Sequence, residues 1–320
     1  MAKDFKKKCI IAPGTKVDLS TFPTADTFGW DKEKAKEQTA ANLERIAELQ
    51  TLLYAEQKHS LLIVLQGMDT GGKDGVVKSI GGAMNPQGVT VTSFKRPTQE
   101  EIDNGFMWRI EKAEPKKPGQ VVIFNRSHYE DVGVVRVHDM ITDAVAQKRF
   151  KTINEFEARL ANPKSNPEIP GGVTIMKFWL HISPDEQWER LRERLERPEK
   201  NWKFETGDLK ERAFFPRYME IYSDAINNCN SEKAPWIVVP ADKKWLRDLI
   251  ISQVVVDKLE ALKMEYPKPD PNIKAVYEHF FKGEDPIAPE DMKAALDAFK
   301  PVNPPGKASK ASAAFKPKPK

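Results

Sequence analysis

The sequence predicts an α/β fold in which a parallel sheet lies between helical layers. Short apolar runs alternate along the chain with amphipathic helical patterns, and continuous apolar runs are typical of strands buried on both faces. Five runs are strand candidates: Leu61 to Leu65, Val89 to Phe94, Val121 to Phe124, Val173 to Leu180 and Trp236 to Val239. A glycine-rich segment directly after the first run is the third observation, because such segments join strand to helix in phosphate-binding folds.

A long helix is predicted ahead of the first strand. Between Asp31 and Gln57 the apolar residues recur at spacings of three and four, which is the period of an amphipathic helix. Further helical patterns lie at Val76 to Met84, Thr98 to Ala113, Asp143 to Leu160, Pro184 to Leu195 and Lys243 to Lys263. Strands that alternate with helices in this way indicate βα units.

The chain is expected to divide into four parts. Residues 1–30 form an N-terminal extension, residues 31–266 the α/β domain, residues 267–300 a C-terminal helical extension, and residues 301–320 a disordered basic tail. Within the domain, the charged segment 197–217 interrupts the alternation of strands and helices. We interpret it as a mobile lid, with a solvated helical hairpin as the alternative.

Composition narrows the class of protein. An apolar fraction of 40% and a charged fraction of 31% are typical of a folded globular protein. No apolar run approaches the roughly 18 residues that span a bilayer, and the first residues lack the apolar stretch of a signal peptide, so we expect a cytoplasmic protein without a membrane partner. The two cysteines predict neither a disulfide framework nor a zinc site.

The positive net charge does not predict a nucleic-acid partner. The formal charge is +4, but the last 20 residues hold five lysines and no acidic residue, so the other 300 residues carry about −1. The basic character therefore belongs to the expected tail and not to the folded domain.

The segment LLIVLQGMDTGGKDG, residues 61–75, contains the spacing G-x-x-x-x-G-K from Gly67 through Gly72 to Lys73. In this pattern, backbone N–H groups of the loop and of the following helix converge on an anion, and the lysine reaches the terminal phosphates. A glycine-rich turn with an exposed lysine is the alternative. The residues predicted to bind phosphate besides Lys73 are Gly67, Thr70, Gly71, Gly72, Asp74 and Gly75.

Two carboxylates make this loop unusual. Asp74 stands where a Ser or Thr normally binds Mg²⁺, and Asp69 lies inside the loop. A carboxylate about 4 Å from a phosphate oxygen is opposed by roughly 4 kcal/mol at an effective dielectric constant near 20. The loop therefore predicts Mg²⁺ between the carboxylates and the phosphates, with more than one ion.

A second segment, residues 121–132, is an apolar strand that ends abruptly in charge. Ligands bind at the carboxyl ends of parallel strands, so we expect Arg126, Glu130 and Asp131 to face the phosphates held by the first loop. A salt bridge from Arg126 to one of the two acids is the alternative. We interpret His128 as a packed, hydrogen-bonding residue, because phosphoryl transfer needs little proton chemistry from the protein.

Four motifs now carry a resemblance. GMDTGGKDG, FNRSHYEDV, RPEKNWKF and APWIVVPADKKW follow one another in this order, and the chain resembles the polyphosphate kinase type 2 family from about Asp18 to Lys263. The resemblance implies a P-loop kinase fold of the thymidylate-kinase type with a helical lid. It also implies reversible, Mg²⁺-dependent transfer of phosphoryl groups between inorganic polyphosphate and nucleotides.

The same resemblance implies roles for individual residues. Asp69 is expected to organise the metal and the reacting phosphates, whereas Lys73 and Arg126 are expected to hold the phosphate chain. The basic residues expected to close on polyphosphate are Arg194, Lys200 and Lys203. The family further implies a homodimer or a homotetramer.

Two positions distinguish this chain within the resemblance. Asn125 stands where many members have an aspartate, which shifts expected metal binding towards Asp69 or Glu130. With Glu130 the chain resembles the subgroup that accepts both AMP and ADP, so adenine nucleotides are the expected acceptors. Whether guanine nucleotides are also accepted is left open. An ATP-dependent nucleoside monophosphate kinase and a non-enzymatic polyphosphate- or nucleotide-binding regulator are the alternatives.

Overall fold

The computed structural model describes residues 4–283 and 286–299. The chain divides after Tyr266 into two compact units, which are described separately. The basic tail expected over residues 301–320 lies outside the described residues. Among the residues that are described, no helix is long and apolar enough to cross a membrane.

Five strands form one sheet in the first unit. Their bounds are β1 Ser60–Gly67, β2 Val89–Ser93, β3 Val121–Asn125, β4 Val173–His181 and β5 Trp236–Pro240. The strand order is β2-β3-β1-β4-β5, and every neighbouring pair is parallel. The predicted strands and the parallel sheet are therefore confirmed.

The order in which the strands are added to the sheet reverses at β1. From β1 the chain passes to β2 at one edge, returns to β3 beside β1, and then crosses to β4 on the other side. A crevice opens at the carboxyl ends of strands where the order reverses in this way, and it is the usual ligand site of such sheets. The glycine-rich loop follows β1 and therefore lies at that crevice.

Helices cover both faces of the sheet in the first unit, and two further helices lie in the described part of the second unit. In the first unit their bounds are α1 Lys6–Cys9, α2 Lys32–Glu56, α3 Lys73–Val76, α4 Gln99–Asp103, α5 Trp108–Ala113, α6 Val134–Val137, α7 Asp143–Ala161, α8 Pro184–Glu196, α9 Pro198–Asn201, α10 Gly207–Ala213, α11 Phe215–Asn228 and α12 Lys244–Ala261. The second unit contains α13 Ile273–Phe280 and α14 Met292–Ala298, which are linked by a 3.1 Å contact between the His279 ring and the Ala295 carbonyl oxygen.

Two of the predicted helices differ from the observed ones. The pattern from Thr98 to Ala113 forms two helices, α4 and α5, because Gly105 between them takes a left-handed φ of 89° that ends a right-handed helix. The helix after the glycine-rich loop begins at Lys73, earlier than predicted, and continues as a π-helical turn over Val77–Gly81.

The core joins the strands to the helices α2 and α12. Helix α2 is capped by Asp31, whose carboxylate accepts a hydrogen bond from the Lys34 backbone N–H at 2.9 Å, and it packs against α12. Its buried face includes Ile46, Leu49 and Leu53. Each such side chain contributes roughly 1.5–3 kcal/mol by its burial, which fixes α2 on the sheet.

A buried polar cluster ties the segment after β3 to its neighbours. The Lys177 ammonium group on β4 lies 2.6 Å from the Glu157 carboxylate on α7, and both residues are buried. The Tyr129 hydroxyl group donates to Glu157 at 2.7 Å, and Lys177 donates to the Cys229 carbonyl oxygen at 2.6 Å. Burial opposes ionisation of Glu157, but Lys177 and His128 outweigh it and hold its pKa below the ordinary value.

The buried charges of this cluster predict how substitutions at Lys177 and Glu157 change the free energy of unfolding. Lys177→Met leaves the Glu157 carboxylate buried without its partner, so we expect the free energy of unfolding in urea to fall by about 3–5 kcal/mol. The double variant Lys177→Met/Glu157→Leu removes both charges and is expected to recover most of that loss. A single variant as stable as the parent protein contradicts the interpretation.

Candidate active site

The glycine-rich loop turns sharply between β1 and α3. Gly67, Thr70 and Gly72 have φ values of 155°, 64° and 98°. A Cβ atom on Gly67 would lie 2.7 Å from the Leu180 carbonyl oxygen, and one on Gly72 would overlap the Arg247 guanidinium group. Glycine is therefore required at Gly67 by close packing against the backbone, and it is favoured at Gly72 by the left-handed φ.

The Lys73 side chain folds back into the loop. Its ammonium group donates to the carbonyl oxygens of Gly67 at 2.7 Å and Met68 at 3.1 Å. Burial of the ammonium group lowers the pKa of Lys73, and the charge of Asp69 opposes that shift. A lysine held in this position places its charge at the centre of the anion-binding loop.

Two arginines from distant helices hold the loop from outside. Arg190 on α8 donates to the carbonyl oxygens of Thr70 at 2.9 Å and of Ala241 at 2.5 Å. Arg247 on α12 donates to the Gly72 carbonyl oxygen at 3.4 Å. The shape of the loop therefore depends on helices that follow β4 and β5.

Arg126 is positioned directly after β3. Its backbone has a left-handed φ of 64°, and its guanidinium group lies 3.0 Å from the Asp69 carboxylate. Burial lowers the pKa of Arg126, but the charges of Glu130 and Asp69 outweigh it and raise the pKa. The salt bridge considered between Arg126 and Glu130 or Asp131 is not the observed one, because the partner within ion-pair distance is Asp69.

The acids of the second motif take different positions. The Glu130 carboxylate accepts a hydrogen bond from the Gln66 side chain on β1 at 3.0 Å. The prediction that Asp131 faces the phosphates is wrong, because its carboxylate lies 3.4 Å from the buried Arg109 guanidinium group. His128 is fully buried and lies 3.4 Å from Glu157, as expected for a packed residue.

Asp74, in the first turn of α3, contacts both Asn125 and the segment 197–217. Its carboxylate accepts from the Asn125 amide at 2.9 Å and lies 3.5 Å from the Lys203 ammonium group. Burial opposes ionisation of Asp74, but Asn125 and Lys203 outweigh it and lower its pKa. The Asn125 side-chain amide is the donor of this hydrogen bond and therefore orients the Asp74 carboxylate.

The segment 197–217 contains α9, α10 and the start of α11. Arg194, at the end of α8, lies 2.9 Å from the Asp208 carboxylate and donates to the Lys203 carbonyl oxygen at 3.0 Å. Lys200 lies 2.8 Å from the Glu193 carboxylate. Ion pairs and backbone contacts thus hold this segment against the end of α8.

Two adjoining cavities open at the carboxyl ends of the strands. The larger, of ≈ 860 Å³, is lined by the loop and by cationic side chains that outnumber carboxylates by ten to four. The cations are Lys73, Lys95, Arg96, Arg126, Arg190, Arg194, Lys200, Lys203, Lys244 and Arg247. The charge of this cleft suits a polyanion.

The smaller cavity, of ≈ 600 Å³, has a mixed lining. It includes Glu130, Glu211, the exposed indole of Trp202 and the side chains of Tyr218 and Tyr222. Lys73, Asp69 and Arg126 line both cavities, so the two spaces meet at the loop. Aromatic rings beside acids and cations suit a ligand that carries both a ring system and a phosphate.

Every residue predicted for the site except Asp131 lines at least one cavity. Gly67 and Glu130 line the smaller one, and the other predicted residues line the larger one or both: Asp69, Thr70, Gly71, Gly72, Lys73, Asp74, Gly75, Arg126, Arg194, Lys200 and Lys203. The fold therefore brings together three segments that are far apart in the sequence.

Sequence reasoning missed five cations of the larger cleft. Lys95 and Arg96 follow β2 directly, and Lys244 and Arg247 follow β5, so the rule that ligands bind at the carboxyl ends of strands could have found them. Arg190 lies within α8, and no local pattern in the sequence marks it.

The donor atoms near the loop fit a hard divalent cation. Asp69, Asp74 and Glu130 supply carboxylate oxygens, which Mg²⁺ prefers. Within residues 4–283 and 286–299, no group of three or more His, Cys, Asp or Glu residues lies close enough to hold a metal alone. Mg²⁺ does not require such a group, because it is usually bound by one or two carboxylates with water and substrate phosphates.

The fold and the site define a P-loop protein of the phosphoryl-transfer class. The model of the family "Polyphosphate kinase 2 (PPK2)" matches residues 29–267. The chain therefore belongs to the polyphosphate kinase 2 family, and its fold is the P-loop kinase fold, as expected.

Relatives agree with this assignment over most of the chain. An AMP/ADP-polyphosphate phosphotransferase of Meiothermus ruber is 46% identical over 266 residues, which cover 82% of this chain and 96% of the relative. An ADP-polyphosphate phosphotransferase of Rhodopseudomonas palustris is 40% identical, covering 83% and 93%. The crystal structure of polyphosphate kinase 2 from Arthrobacter aurescens TC1 superposes with a TM-score of 0.80 at 42% identity, covering 87% of this chain and 96% of that one.

Proposed function

We propose that this protein transfers phosphoryl groups from inorganic polyphosphate to AMP and ADP, giving ADP and ATP in a reversible reaction. The observation that carries the proposal is the larger cleft, in which ten cationic side chains line one cavity together with the phosphate loop. A nucleotide alone offers few phosphates for so many cations, whereas a polyphosphate chain offers one charge or more per unit.

Transfer takes place where the two cavities meet. A phosphate oxygen of the acceptor attacks the terminal phosphorus of polyphosphate, the bond to the bridging oxygen breaks, and the donor becomes one unit shorter. Arg126 and Lys73 offset the charge of the transferred group, and the protein acts mainly by positioning. The acceptor phosphate is already anionic near neutral pH, so no general base is needed.

Mg²⁺ is part of the proposal. Asp69 would hold it, and Asp74 and Glu130, which line the same cavity, are the candidates for a second carboxylate. An ion bound there would supply positive charge to offset that of the phosphates. The side chains that orient these carboxylates are Arg126 for Asp69, Asn125 for Asp74 and Gln66 for Glu130.

The acceptor range is proposed from one residue and one relative. Glu130 resembles the subgroup that accepts AMP as well as ADP, and the relative at 46% identity carries both acceptors in its name. We further propose a cytoplasmic homodimer or homotetramer without nucleic-acid or membrane partners. Guanine nucleotides are a further acceptor class to be tested.

A single assay tests the proposed function. The protein is incubated with AMP, long-chain polyphosphate and Mg²⁺ in the absence of ATP, and nucleotides are separated by chromatography. We expect ADP to appear first and ATP to follow. Product that forms only when ATP is added indicates a nucleoside monophosphate kinase, and no product under either condition indicates a non-enzymatic binding protein.

The loop residues give a second prediction. Lys73→Ala and Asp69→Asn are each expected to lower turnover at least about 100-fold while the protein stays folded, because charge stabilisation and positioning supply most of the catalysis. Lys78→Ala is the matched control, since Lys78 is an exposed lysine on the turn that follows α3. Near-normal turnover of either loop variant, with normal circular dichroism, removes the proposed site.

Glu130 gives a third prediction about acceptor choice. A carboxylate attracts a cation far more strongly than an amide does. The reacting phosphate of AMP lies one unit closer to the nucleoside than that of ADP, so the donor or the acceptor must shift by about one phosphate. We therefore expect Glu130→Asn to reduce AMP phosphorylation selectively and to spare ADP phosphorylation. Initial rates with both acceptors, at saturating polyphosphate and Mg²⁺, measure this.

A second substitution separates charge from hydrogen bonding. Glu130→Gln keeps an acceptor for the Gln66 amide, which lies 3.0 Å from Glu130, but removes the charge. Selective loss of the AMP reaction in both variants supports the role of the charge. A parallel fall with both acceptors makes Glu130 a general catalytic or structural residue instead.

A further inference from the structure

Glu193 is a carboxylate in contact with three cations at the larger cleft. Its oxygens lie 2.8 Å from Lys200, 3.8 Å from Lys244 and 3.8 Å from Arg197. The hydrogen bond from Lys200 is the main cause that holds the pKa of Glu193 below its ordinary value. Glu193 is therefore charged at neutral pH and shared between lysines of α9 and α12.

Three members of this cluster line the larger cavity and not the smaller one. Glu193, Lys200 and Lys244 line the larger cavity, whereas the smaller cavity is lined by Glu130 and its neighbours. Asp69, Lys73 and Asp74 of the loop line both cavities. A phosphate chain whose reacting end lies where the two cavities meet therefore contacts Lys200 and Lys244 with units further from that end.

We propose that Glu193 is an internal counter-ion that competes with the distal phosphates of long polyphosphate for Lys200 and Lys244. This inference rests on the proposed function and names the residue that sets how the enzyme discriminates between donor chain lengths. A long chain meets two lysines that are partly neutralised and a carboxylate that repels it. A chain too short to reach the cluster is unaffected.

Glu193 has an alternative role, which is to hold the two lysines in position, and that role predicts the opposite change in binding. If the carboxylate served mainly to hold the lysines in position, its removal would let both side chains move and would weaken binding of long chains. The ion pairs are partly exposed, since the side chains of Lys200 and Glu193 are 30% and 35% exposed to solvent. Exposed pairs of this kind order side chains only weakly, so the charge effect is expected to dominate.

The test compares Glu193→Gln with Glu189→Gln. Glu189 lies one turn earlier on α8, is exposed and pairs with Arg192, so its substitution removes the same charge from the same helix outside the cleft. Calorimetry measures the Kd of tripolyphosphate and of long-chain polyphosphate without nucleotide. Initial rates then give the KM for AMP.

We expect Glu193→Gln to lower the Kd for long-chain polyphosphate roughly two- to fivefold, the range typical of a partly exposed ion pair. The Kd for tripolyphosphate and the KM for AMP are expected to stay unchanged, and Glu189→Gln is expected to match the parent protein throughout. Lys200→Gln supplies the converse test, with long-chain binding weakened and tripolyphosphate binding unaffected.

Three results overturn the inference. Weaker binding of long chains by Glu193→Gln shows that the carboxylate positions the lysines. Equal tightening for both chain lengths shows that the cluster is not distal, and equal tightening by Glu189→Gln shows an effect of net charge. Failure of the parent protein to bind either chain is a different outcome, because it removes the proposed function itself.

Discussion

Keeping many like charges around one cleft is the constraint on which the rest of this structure depends. Two cations about 4 Å apart repel by roughly 4 kcal/mol at an effective dielectric constant near 20. A carboxylate beside most of the cations offsets this repulsion. The pairs are Asp69 with Arg126, Asp74 with Lys203, Glu186 with Arg190, Glu193 with Lys200, Asp208 with Arg194, and Asp248 with Arg247. The acids inside a phosphate loop are therefore counter-ions as well as candidate metal ligands.

The pairs differ in how readily they can be exchanged for phosphate. Arg190 and Arg247 are buried, and besides their carboxylates they donate to backbone carbonyl oxygens of the loop, so they act as structural clamps. Arg126 and Lys203 are more exposed, at 41% and 35% of the side chain, and their partners belong to the loop itself. Phosphate can therefore replace Asp69 and Asp74 as the partner of Arg126 and Lys203, which leaves the two carboxylates to a metal ion without disturbing the clamps that shape the loop.

The sequence predicts the sheet well because its strands are buried on both faces and read as continuous apolar runs. It predicts the phosphate loop because the spacing of Gly67, Gly72 and Lys73 reflects local backbone geometry. It does not predict the break at Gly105, since one glycine inside a helical pattern is often tolerated. Nor does it predict the inward turn of Asp131, because its partner Arg109 is 22 residues away and belongs to another element.

The same limit applies to the site. The residues that follow strands are accessible to sequence reasoning, whereas Arg190 and Glu193 lie within a helix whose charged pattern looks like an ordinary solvated face. Their roles come from the way α8 passes over the loop after β4. Side-chain pairing across elements is a property of the folded chain, and no spacing along the sequence encodes it.

The two cavities meet at Asp69, Lys73 and Arg126 but differ in lining, and this separation has a consequence for the proposed reaction. The donor side is mainly cationic, so its affinity depends on the sum of many exchangeable charges and falls with ionic strength. The acceptor side contains Glu130 and aromatic rings, so its selectivity depends on a few directed contacts. A change in one cavity can therefore alter chain-length preference or acceptor choice separately, as long as the shared residues at the loop keep their geometry.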